Sequence, residues 1–197
     1  MESIIGNSPY DFVKNFNYRK DKNLFSGIHY RFYTELDIAN LFRLLHLAVS
    51  ENESLENLFL RGDNNTERNI KEGINNFSRW FISKCNRMNC GSNGIRFMFP
   101  LPEKGSAAKR FNLFLRWMVR KDELDFGLWR GVEKSRLVIP VDVHIARISR
   151  RIGLTGRKNV SWKMAEEITE KLKAFDPNDP VKYDFALCHI GMRKLEF

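Results

Sequence analysis

The chain has 197 residues, 43% hydrophobic and 29% charged, and a net charge of +9 from 33 basic against 24 acidic side chains. That length buries a real core in one domain or two small lobes, and the spread of Leu, Ile and Phe excludes a disordered chain. No apolar run approaches a membrane span, no signal-like start is present, and Cys85, Cys90 and Cys188 include no CxxC pair, which argues against a disulfide framework and a zinc site. The excess of cations suits a partner rich in phosphate. It equally suits a basic cytosolic protein with no polyanion partner.

In chain order, residues 1–33 are polar and aromatic-rich, with one short helix after Ser8-Pro9, because proline suits a first helical position. Thr34 caps a strong helix with Asp37 in place of the capping-box glutamate, and Leu36, Leu41, Leu44, Leu45 and Ala48 recur at helical spacing. A short helix from Ser54 stops at Gly62. Another opens near Asn64, Asn65 and Thr66 and carries an apolar stripe of Ile70, Ile74, Phe77, Phe81 and Cys85. Residues 95–99 are the only short strand candidate. The polar, glycine-containing residues 90–93 mark a joint, predicting an N-terminal lobe over 1–90 and a second over 91–197.

The second half opens with a tight turn at LPEKG and a helix from about Ser106. At ~100° per residue, Ala107, Phe111, Phe114, Leu115 and Met118 share one side, while Lys109, Arg116 and Arg120 lie within ~40° of each other opposite, with Asn112 beside them. The basic side is either a functional face or a solvated one. Residues 121–135 form a polar connection with room for one short helix. Trp129 either packs on the core or stacks on a base, the core being the usual fate. Asp142 stands at the N-cap of a helix ending at Gly153, with Ile145, Ile148 and Ile152 inward and His144, Arg147 and Arg151 on another side. A capping carboxylate can also be a catalytic one, since the cap fixes it rigidly. Ser161 caps a helix to about Phe175. Asp179-Pro180 starts the last helix, with Tyr183, Ala186, Leu187 and Ile190 inward and Asp184 near its start.

LPEKG with its lysine-bearing helix resembles the hairpin of the helix-hairpin-helix DNA glycosylases, commonly LPGVGRKTA, and IPVDVHIARISRRIGL resembles their VDTHIFRV segment. GSAAKRFNLFLRWMVRKD, GLWRG, SRLVIPVD and YDFAL are closer to a little-characterised bacterial and archaeal family of that superfamily. The spacing of 33 from Lys109 to Asp142, and a second basic residue seven positions after the lysine, Arg116, are more similar to the archaeal 8-oxoguanine glycosylase branch. Here Glu103-Lys104 replaces Gly-Val, and two extra residues separate Gly105 from the lysine. The four-cysteine iron–sulfur loop that follows the last helix in some of these enzymes is expected to be absent. Members of that family carry further helices before the SPYDF stretch, so the first lobe is expected to be incomplete.

The resemblance implies an all-α, two-lobed glycosylase-like fold and a monomer, cytoplasmic and nucleoid-associated, that needs no cofactor or metal and acts on double-stranded DNA with a flipped base. Excision requires that the base leave the stack. Lys109 is the implied nucleophile at C1′, its neutral amine favoured by the helix end and by Arg110 and Arg116, with Asp142 as proton acceptor and electrostatic partner. Asp184, Arg116 and His144 are candidate substrate contacts, though a first-turn helix acid is the plainer reading of Asp184. Lys104, Gly105, Arg110, Arg120, Arg147 and Arg151 are candidate nucleic-acid contacts. The alternative is a non-catalytic DNA- or RNA-binding protein that retains the fold, or a structural protein with no salt-dependent binding.

Overall fold

The computed structural model describes residues 2–193, with side chains over 4–190. Among these residues every extended element is a helix, and β pairing is limited to two isolated bridges, Tyr30 with Tyr33 and Lys121 with Phe126. No helix among them is long and apolar enough to cross a membrane. The chain divides into two compact units: residues up to Arg61 with Asn76–Phe99, and Gly62–Asn75 with the chain from Pro100 onward. The division therefore differs from a cut at 90/91, since residues 91–99 belong to the first unit and 62–75 to the second.

In the first unit, α1 (Glu2–Ile5), α2 (Pro9–Asn15) and α3 (Tyr18–Asp21) lead to α4 (Glu35–Asn52) and α5 (Leu55–Gly62). Ser8 caps α2, and Thr34 and Asp37 close a reciprocal capping box on α4. Phe16, Phe25, Ile38, Ala39 and Phe42 form a core cluster in which Phe25 and Phe42 stack at 5.0 Å. The buried face of α4 is thus rotated from the leucine stripe: Leu44 and Ala48 are buried, but Leu36 is 57% exposed, because the aromatic residues of 12–25 pack against Ile38 and Phe42. α6 (Lys71–Arg87) starts in the segment that belongs to the second unit and continues through the first. Its stripe from Ile70 to Cys85 is buried as the spacing requires. The strand candidate is instead a helix, α7 (Asn93–Met98). Ser92 Oγ accepts the Ile95 N–H at 3.0 Å, supplying the cap, and Ser92 also donates to the buried Asp37.

The second unit holds α8 (Lys109–Val119), α9 (Val143–Arg151), α10 (Trp162–Lys173) and α11 (Asp184–Arg193) around Leu115, Leu137, Ile139, Ile145, Trp162 and Ile168. Arg136 explains why residues 62–75 join it. Its buried guanidinium donates to Asp63 at 2.6 and 2.9 Å, to Asn65 Oδ1, and to the carbonyls of Asn64, Glu67 and Asn69. The Glu67 and Asn69 carbonyls face an arginine instead of a helical amide, and that of Asn64 is shared between Arg136 and the Glu67 N–H of a turn, so α6 begins at Lys71, five residues beyond Thr66. Residues 121–135 contain no α-helix. Trp129 is buried, as a core residue. Ile152 and Ala186, placed inward by periodicity, are exposed.

Candidate active site

Lys109 is the first residue of α8, three positions later than a helix start at Ser106. The delay is local. A turn at Pro102–Lys104 ends on Gly105 at φ +90°, whose carbonyl accepts the Trp162 N–H at 3.1 Å. Ala108 then adopts φ +47°, ψ +34°, a conformation that costs a non-glycine residue energy. It is held there by burial of its side chain, by Ser106 Oγ accepting its N–H at 3.2 Å, and by Asn112 donating to the Ala107 carbonyl at 3.1 Å. A strained, well-anchored residue thus sets the direction in which Lys109 leaves the helix end.

Asp142 caps α9: Oδ1 accepts the His144 and Ile145 amides at 2.8 and 2.9 Å. Its other oxygen, Oδ2, lies 2.9 Å from Lys109 Nζ. Capping and pairing therefore use different atoms of one carboxylate. The Lys109 side chain is 46% exposed and that of Asp142 19%, so the pair sits at the surface, open to an incoming molecule. Partial burial pushes the Asp142 carboxyl up, but hydrogen bonds from Ile145 N, Lys109 and His144 N outweigh it and hold the group below the usual carboxylate range. Asp142 is an anion at neutral pH.

The basic face predicted for α8 is not a solvent face. Arg116 and Arg120 are buried, and so is Asn112. Arg116 donates to Asp125 at 3.1 and 3.2 Å and to Asp184; Arg120 donates to Asp125, to both oxygens of Asp179 at 3.0 Å, and to Asp122 at 2.9 Å. Arg116 and Asp184, expected as substrate contacts, and Arg120, expected as a phosphate contact, are in this arrangement each bonded to partners inside the unit. Nor is Arg116 a bare cation beside Lys109, because two carboxylates flank it. Burial pushes the Asp184 carboxyl up, only partly offset by Arg116, and Asp142 adds to the rise.

Asp125, which sequence reasoning missed, is the keystone, with a side chain 0% exposed between two arginines. The available signal was local. Asp122 Oδ1 accepts the amides of Leu124 and Asp125, forming a tight turn. Gly127 follows at φ +60°, where a Cβ would lie 2.5 Å from that of Lys121. The turn folds the segment back so that Phe126 and Trp129 donate to carbonyls of Trp117 and Met118 on α8.

The remaining candidates are distributed around the pair. His144 is half-buried, its Nδ1 3.1 Å from Arg147 Nη2; Lys104, Gly105, Arg110, Arg147 and Arg151 are exposed. Among the described residues no group of three or more His, Cys, Asp or Glu is placed to hold a metal ion. Comparison with known proteins adds one match: the family described as "protein of unknown function (DUF2400)" fits residues 1–193. No curated protein and no solved structure matches the chain.

Proposed function

The chain belongs to that family, whose description assigns no activity, and we propose that it is a DNA glycosylase with lyase activity, acting through Lys109 and Asp142. The observation that carries the reading is the 2.9 Å contact between an exposed amine at a helix start and a capping carboxylate 33 residues away. In the proposed reaction Lys109 Nζ, once deprotonated, bonds to C1′ of a nucleotide turned out of the stack, and the bond from C1′ to the base nitrogen breaks. The base departs with the electron pair of that bond and takes up a proton. Ring opening then leaves a protonated Schiff base between Nζ and C1′, from which loss of a C2′ proton expels the 3′ phosphate.

Asp142 suits one of its two implied tasks better than the other. A carboxyl held below its usual range is a weak proton acceptor but a dependable anion. Its task is chiefly to stabilise the cationic sugar as the base leaves. The net charge of +9 supplies non-specific attraction to phosphate. The exposed Lys104, Arg110, Arg147 and Arg151 are the proposed backbone contacts.

The test is an excision and nicking screen on duplexes carrying oxidised, deaminated or alkylated bases. The wild-type chain should release one class of base, and Lys109→Ala should release none. The same ion pair would serve a non-catalytic DNA- or RNA-binding protein by tying α8 to α9. That protein would bind the duplexes with steep salt dependence and release nothing.

A further inference from the structure

The first unit contains a groove of about 620 Å³ with no residue of the Lys109 site in its lining. Its lining combines Arg19, Arg43 and His46 with the apolar Phe16, Leu47 and Met88. None of the lining residues is acidic. The nearest carboxylate in sequence, Asp21, is occupied by the Asn17 amide at 2.7 Å.

Arg43 is the informative residue. It is half-buried, yet among the described residues its guanidinium meets only the face of Tyr18, 4.7 Å from the ring centroid. A cation drawn partly out of water normally acquires an anionic partner; the buried Arg116, Arg120 and Arg136 all have one. At Arg43 the ring orients a planar fork, and the N–H groups are left for something outside the chain. That fork matches two oxygens of a phosphate. His46 Nδ1 lies 3.1 Å from the Val13 carbonyl, which fixes the imidazole and leaves Nε2 as its second polar atom. Phosphate-binding groups and apolar side chains lining one groove are the pairing that one nucleotide requires, phosphate on the cations and base on the apolar residues.

We propose that this groove is a second nucleic-acid site, seating one nucleotide of a single strand with its phosphates on Arg43 and Arg19 and its base against the half-buried Leu47 and Met88. The site requires nothing of Lys109 and reaches beyond base excision. A strand can occupy it whether or not a base is cut.

The test is anisotropy of a fluorescein-labelled single-stranded oligonucleotide titrated with the full chain at several salt concentrations. Charge-assisted hydrogen bonds are each worth on the order of tenfold in affinity. Arg19→Gln/Arg43→Gln should therefore bind roughly tenfold more weakly or worse, with a salt slope shallower by about 0.7 for each phosphate no longer neutralised. Arg43→Lys, which keeps the charge and removes the fork, should retain the wild-type slope at reduced affinity. Unchanged thermal midpoints for both variants would show that they fold. Unaltered affinity and slope in the double variant overturn the site, as does a wild-type chain that fails to bind the strand. AMP displacing the oligonucleotide at comparable concentration would reassign the groove to a free nucleotide and overturn the strand. If the wild type excises bases but the double variant binds normally, the groove falls and the glycosylase stands; loss of binding without excision by the wild type gives the reverse.

Discussion

The two ends of α8 put cationic side chains to opposite uses. At its start Lys109 is exposed and meets a single carboxylate; two and three turns on, Arg116 and Arg120 are buried and share Asp125, with Asp184, Asp179 and Asp122 completing their shells. An exposed pair in water contributes little to stability and remains free to react, whereas a buried guanidinium must have every donor satisfied or the fold loses several kcal/mol. Charge on a helical wheel therefore says little about function until burial is known.

The largest expected effect is at the buried end. Asp125→Ala removes the carboxylate that two buried guanidinium groups share, leaving Arg116 with Asp184 and Arg120 with Asp179 and Asp122, and should cost about 3 kcal/mol, seen as a lower urea midpoint. Asp142→Ala comes next. Losing the cap of α9 should cost about 1 kcal/mol, and excision should fall with it. Lys109→Ala should change stability by less than about 1 kcal/mol while abolishing excision, since a half-exposed surface pair is worth no more. If Lys109→Ala destabilises as much as Asp125→Ala, the contrast between the two ends fails.

The smallest effect lies in the acid limb of the stability curve. Asp142 is held low in the fold, so its contribution is complete above the unfolded carboxyl value near 3.9 and is lost as pH falls through its lower folded value. Asp184 is raised, so the folded chain binds that proton first and gains stability as pH falls toward about 3.9. Acid titration of the two asparagine variants separates them. Asp142→Asn should flatten the limb below about pH 4, and Asp184→Asn should bring its onset to higher pH.

Much of the helical order was legible because its signals are local: Ser8, Thr34, Asp142 and Ser161 all cap the helices they precede. So was the meeting of Lys109 and Asp142, which rested on resemblance and not on any local pattern. What escaped depends on distant partners. Nothing near Arg136 announces Asp63, whose ion pair draws residues 62–75 into the second unit. Periodicity placed Arg116 and Arg120 on one side of α8 correctly, but could not show that residues 121–129 fold back and bring Asp125 to that side. Residues 95–99 read as a strand because a run this short fits either period, and the cap from Ser92 settles it.

If the Lys109 amine bonds to the sugar, that bond can be caught by reduction. Incubating the wild-type chain with lesion-containing duplex and borohydride, then mapping the adduct by mass spectrometry, tests it directly. A reduced cross-link on the peptide containing Lys109, absent in Lys109→Ala, is the predicted result. Base release with no cross-link, or a cross-link at another lysine that survives Lys109→Ala, contradicts it.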